Sequence, residues 1–189
     1  MSAQPKSFVS ESDYLTIERE ALQKSELFDG QVVAMAGATI AHNRIVSNII
    51  SNIGPYLKGR PCEIFPSDLR VRVGLSDSFT YPDATIVCGK PEMLDEHFDT
   101  VTNPTVIIEV MSKSTEEKDK GSKFFAYRQI PTLKEYLLIS STEYFVQTVL
   151  RQSDGSWKFE EITDLNKAMP ITSIQHEVSL LEIYENVSF

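Results

Sequence analysis

The sequence predicts an α/β fold, a mixed β-sheet core flanked by helices, in a single domain. Three observations carry that reading. Dense β-branched runs, strongest at residues 84–88 and 105–111, read as buried strands. A broad apolar stripe through Ile45, Ile49, Ile53 and Leu57 reads as a long helix. The 189 residues are 41% hydrophobic and 24% charged, which suits one sizeable core and excludes collagen-like, low-complexity and wholly disordered chains.

Taken in order, residues 1–10 predict a flexible leader and residues 11–189 a single domain. Tyr14, Leu15, Glu18, Ala21 and Leu22 recur at helical spacing. Leu27-Phe28 and Val32-Val33 flank Asp29-Gly30, whose residues tolerate the positive φ of a tight turn, so an N-terminal hairpin is expected. The long helix covers 38–57 and stops at Gly59-Arg60-Pro61. Two short strands, 62–65 and 69–73, precede the strand at 84–88, and residues 89–103 read as a long polar link. After the strand at 105–111, hydroxyls and then acids at Ser114-Thr115-Glu116-Glu117 open a helix that Pro131 ends. Further strands at 136–140, 144–151 and 157–162 and a short helix at 179–184 close the chain.

Lys and Arg total 18 against 27 Asp and Glu, a net charge of -9. Bulk attraction to nucleic acid or membrane is therefore excluded, and a phosphate partner needs a local basic patch. No run of about 18 apolar residues predicts a membrane span. The first residues lack the apolar stretch of a signal peptide. Cys62 and Cys88 lie in apolar runs without CxxC or zinc-ligand spacing, so both are expected as buried thiols in a reducing cytoplasm.

Glu109 is the informative anomaly. It interrupts a run that is apolar on both faces, the pattern of a central strand. A buried carboxylate there needs a cation, a metal or a proton, unless it points from the strand end into water. Asp83 follows Pro82 at the head of the 84–88 strand, where a turn role is equally open. If the two strands pair, the acids converge into a hard oxygen site suited to Mg²⁺ or Mn²⁺. Lys123 on the following helix could lean over them, or pair with Asp119 at i,i+4. Lys113, Lys118 and Lys120 compete for the same role. His42 could reach a phosphate or simply pack, and Phe124, Phe125 and Tyr127 read as a core face.

Together, several segments resemble the Uma-two family of putative restriction endonucleases, a branch of the PD-(D/E)XK nuclease superfamily. They are Glu26 with Asp29-Gly30, Ala36-Gly37-Ala38-Thr39 before His42, Tyr81-Pro82-Asp83, Ile108-Glu109-Val110-Met111, Asp119, Lys123, Tyr127-Arg128 and Glu135-Tyr136. The likeness spans about residues 14–184 and implies a restriction-endonuclease-like core with an extra N-terminal hairpin and C-terminal strands. It implies Asp83, Glu109 and the Val110 carbonyl as ligands of Mg²⁺ or Mn²⁺, and Glu26 as an accessory acid. The superfamily's lysine position, two residues after the Glu, holds Met111 here. Lys123 is implied as its migrated replacement. The implied activity is phosphodiester hydrolysis of nucleic acid, DNA above all, by a cytoplasmic homodimer. The alternatives are an inactive nuclease-fold module that binds nucleic acid or a protein, and a metal-free hydrolase of another ester.

Overall fold

The computed structural model describes residues 8–74 and 78–189. The sequence-predicted long helix is α2 (Ile40–Leu57), whose N-cap Thr39 accepts the His42 N–H through its hydroxyl at 3.2 Å. Its buried stripe, Ile45, Ile49, Ile53 and Leu57, packs against Ile86, Ile108, Val110, Leu137 and Ile139 on one face of a six-stranded sheet. Burying a full aliphatic side chain contributes about 1.5–3 kcal/mol, so this stripe is a principal hold on the fold.

That sheet uses β3 (Cys62–Pro66), β6 (Ala84–Cys88), β8 (Val106–Met111), β9 (Glu135–Ser140), β10 (Val146–Arg151) and β11 (Trp157–Ile162). Its order is β11-β10-β9-β8-β6-β3. Only β8 and β9 are parallel; the other neighbours are antiparallel. Every residue of β8 and β9 is buried, as expected of strands covered on both faces. A parallel pair needs a crossover, supplied by α3 (Glu116–Lys118), a π-helical turn (Asp119–Lys123) and α4 (Phe124–Tyr127). The continuous helix expected over 114–129 is thus three segments. The wider π turn carries Asp119 and Lys123, both buried.

A second sheet, ordered β2-β1-β5-β4-β7, comprises β1 (Ser25–Phe28), β2 (Gln31–Ala34), β4 (Arg70–Val73), β5 (Ser78–Thr80) and β7 (Thr100–Val101). The strand at 69–73 therefore leaves the main sheet: the turn after Pro66 sends β4 to pair with β5 and β7. The expected 89–103 link contains β7, bridged to Met93. The Asp29-Gly30 hairpin forms as predicted, with φ of 47° and 72°. α1 (Glu11–Glu20) covers this sheet through Tyr14 and Leu15 against Leu27 and Phe79. The N-terminal residues 1–7 of the expected leader lie outside the described residues. Val9 donates its N–H to the Gly30 carbonyl at 2.9 Å, and Ser10 caps α1. β12 (Ala168–Ile171) and β13 (His176–Ser179) form a ribbon that sequence reading did not anticipate, followed by α5 (Leu180–Ile183).

The cysteine expectation is overturned. Cys62 and Cys88 are directly opposed in β3 and β6, form a disulfide, and are only partly buried. The pairing could not be read from the sequence because 26 residues separate the two and only strand register brings them together. Among the described residues, no helix is long and apolar enough to cross a membrane.

Candidate active site

The site begins where β6 fails to continue alongside β8. Their ladder ends at Ala84–Ile108. One step further, the register sets Asp83 opposite Glu109. There the Asp83 side chain takes over from the missing strand: Oδ2 accepts the Val110 N–H at 2.7 Å. The N–H and C=O of one strand residue point to the same edge, so the Val110 carbonyl faces this gap as well. Asp83 Oδ1 lies 3.0 Å from His42 Nε2, on the first turn of α2. Burial opposes a charge on His42, but the Asp83 carboxylate prevails and raises its pKa.

Glu109 projects toward the crossover. Its Oε1 accepts the Lys123 ammonium at 2.9 Å and the Tyr127 hydroxyl at 2.9 Å. Lys123 Nζ also lies 3.0 Å from Glu26 Oε1 and 3.7 Å from Asp119 Oδ1. Glu26 Oε2 takes a second ammonium, that of Lys118, at 2.8 Å. Lys118 stays partly exposed while Glu26, Glu109, Asp119 and Lys123 are all buried. The strand acid, the hairpin acid and the helix lysine predicted from sequence therefore meet at one place. Met111 turns instead into the apolar core with Ile107, Phe124 and Tyr127.

The charges do not balance in the interior. Burial pushes the Glu109 carboxyl up to about 8, with Asp119, Asp83 and Glu26 adding to the rise and Lys123 opposing it. Asp119 is also raised, chiefly by burial. Burial opposes the charge on Lys123, yet Glu109, Glu26 and Asp119 hold its pKa well above the usual amine value. Glu26 is lowered, because Lys123 and Lys118 together outweigh its burial. Burial sets the upward shift of Glu109, and the Lys123 ammonium that opposes it is shared with Glu26 and Asp119. The cluster is short of positive charge.

A second network holds these elements in place. Buried Glu18 of α1 accepts the Ser25 N–H at 2.9 Å and the Tyr81 hydroxyl at 3.0 Å. It thereby ties α1 to the strand that carries Glu26 and to the turn that carries Asp83. Sequence reading passed over two partners, His42 on Asp83 and Tyr127 on Glu109, whereas the Asp119–Lys123 pair was one of its two alternatives and forms alongside the other. His42 was an open choice between packing and phosphate contact, and the structure gives it a carboxylate partner instead. Tyr127 does line the core as expected, but its hydroxyl reaches the acid. Its position four residues after Lys123 was the available signal. Among the described residues, no group of three or more His, Cys, Asp or Glu side chains is arranged to hold a metal ion.

Comparison with known proteins agrees with this architecture. Residues 11–182 match the model of a family described as Uma2, putative restriction endonuclease. Two uncharacterized proteins of Synechocystis sp. are similar. One, sll1609, is 37% identical over 155 residues, covering 82% of this chain and 88% of that protein. The other, slr1290, is 35% identical over 149 residues, covering 79% and 77%. A crystal structure described as a putative nuclease belonging to DUF820, from Anabaena variabilis, superposes with a TM-score of 0.77 at 18% identity, covering 93% of this chain and 97% of that one. That likeness is one of fold. With the match to the family model spanning nearly its whole length, this chain belongs to the Uma2 family of putative restriction endonucleases.

Proposed function

We propose that the protein is a Mg²⁺- or Mn²⁺-dependent endonuclease that hydrolyses phosphodiester bonds of nucleic acid, with DNA as its substrate, and acts as a homodimer. The observation that carries this reading is the Asp83 carboxylate on the Val110 N–H at the open edge of β8, beside a Glu109 that holds the Lys123 ammonium. Asp83, Glu109 and the Val110 carbonyl are hard oxygen donors of the kind such cations take. Asp119, Asp83 and Glu26 add to the rise that burial imposes on the Glu109 carboxyl, and a divalent cation would offset this gathering of acids. When bound, a divalent cation supplies Lewis-acid polarisation of the phosphate and acidifies a water.

The chain's own groups do the rest. Lys123, kept protonated by its carboxylates, can orient the attacking water or offset charge that develops on the phosphate. Glu26 holds Lys123 through Oε1 and anchors Lys118, the more exposed ammonium, through Oε2. Because the chain is acidic overall, nucleic acid must be met by local cations. Lys113, Lys118 and Lys120 flank the cluster in sequence, and Arg44 and Lys58 lie on or just beyond α2. A symmetric pair of protomers would pool two such patches.

The test is cleavage of supercoiled plasmid and single-stranded DNA with Mg²⁺ or Mn²⁺ by the wild type beside Asp83→Ala, Glu109→Ala and Lys123→Ala. Each substitution is expected to abolish cutting while circular dichroism stays native. Cutting by Glu109→Ala rejects the role given to Glu109. Binding of DNA by a wild type that never cuts it rejects the enzyme reading in favour of a nuclease-fold binding module.

A further inference from the structure

Tyr127 is wholly buried in α4, and its hydroxyl lies 2.9 Å from both Glu109 Oε1 and Thr80 Oγ1. A phenol has one proton, and the Glu109 oxygen that already takes the Lys123 ammonium accepts rather than donates. The proton of Tyr127 therefore goes to Glu109, and the Thr80 hydroxyl, also buried, donates to the phenol oxygen. Lys123 donates to the same Oε1. Two donors load this oxygen, whereas none of the described residues donates to Oε2. Glu109 thus presents two unlike oxygens, one committed to the protein and one not.

From this asymmetry we infer that Tyr127, backed by Thr80, is a positioning residue that pins Glu109 through Oε1 and leaves Oε2 as its coordinating oxygen for the divalent cation. The inference rests on the metal-dependent reading above and goes beyond it by naming the oxygen and what selects it. Glu109 sits on β8, Tyr127 on the crossover and Thr80 on the second sheet, so three separate elements fix one carboxylate. Without the phenol proton, Oε1 keeps only Lys123, and the carboxylate can rotate and share both oxygens with either cation. Groups that orient a metal ligand by hydrogen bonding set its affinity by about 10- to 100-fold.

The experiment is calorimetric titration of Mn²⁺ into the full chain without nucleic acid, for wild type, Tyr127→Phe, Thr80→Val and Thr80→Ser, beside plasmid cleavage across a Mn²⁺ series. Tyr127→Phe is expected to weaken Mn²⁺ binding by about 10- to 100-fold. Its cleavage should recover toward the wild-type kcat at saturating Mn²⁺, an affinity effect that a merely structural role would not produce. Thr80→Val should shift binding in the same direction and Thr80→Ser should restore it. Tyr127→Phe that binds Mn²⁺ as tightly as the wild type overturns the inference while leaving the metal site standing. If Tyr127→Phe does not fold, equal Mn²⁺ binding by Thr80→Val and Thr80→Ser overturns it instead. A wild type that binds no Mn²⁺ overturns both this inference and the function it rests on.

Discussion

Asp83 stands in for a strand: by accepting the Val110 N–H at 2.7 Å, its carboxylate completes the edge of β8 that β6 leaves open. One side chain thus carries both a structural and a proposed chemical duty, and substitution can separate them.

Asp83→Asn keeps an amide oxygen for the Val110 N–H, so its stability should stay close to wild type while cutting disappears. Asp83→Ala leaves that donor without its partner and should lose about 1–3 kcal/mol as well. Urea unfolding beside the plasmid assay checks both. Equal stability of the two variants would show that the Val110 bond contributes nothing.

Lys123→Met should be the most destabilising of the site variants. It strips the shared cation from buried Glu109, Glu26 and Asp119, and breaking a buried pair costs about 3–5 kcal/mol. The loss should shrink in acid, because the Glu109 and Asp119 carboxyls, raised chiefly by burial, favour a fold that lets them stay protonated. Thermal melts at pH 5 and pH 8 measure this. A loss that is the same at both values contradicts the charge-sharing account.

Asp99 predicts an acid limit remote from the site. Arg19, at 2.8 Å, holds its pKa below the ordinary carboxylate value of 3.8, and buried Arg70 adds a contact at 2.7 Å. A depressed folded-state pKa contributes stability above the unfolded value, and that contribution fades as pH falls below about 3.8. Asp99→Asn should therefore lower Tm at pH 7, where wild-type Asp99 is ionised, and lower it by less at pH 2. A constant Tm difference across that range would refute the assignment.

Reduction of Cys62–Cys88 opens a loop of 26 residues. On the chain-entropy account this costs about 3 kcal/mol. Unreduced protein should show no free thiol in denaturant, and dithiothreitol should lower Tm. Two titratable thiols before reduction would disprove the pairing.

The parts of the fold that were legible are those with one dominant burial pattern. β8 and β9, buried along their whole length, and α2, with its single stripe, could be placed because local pattern and final environment agree. β5 and β7 were obscure for the opposite reason: at three and two residues they are too short for a period to register. β4 was placed as a strand at 69–73, but not its sheet, which is assembled from distant segments. At the site, Glu109 stood out because a carboxylate in an apolar run violates its surroundings. Tyr127 did not, because an aromatic on a core face violates nothing locally. Its role arises only when α4 lies against β8.

The crossover between β8 and β9 decides what can reach the strand acid. Parallel neighbours oblige the intervening chain to return over the sheet, so a residue on that return can hover above the strand it has just left. Lys123 follows Glu109 by 14 positions, yet its amine lies on that carboxylate. A search that demands close, fixed spacing along the chain passes over a pairing built this way.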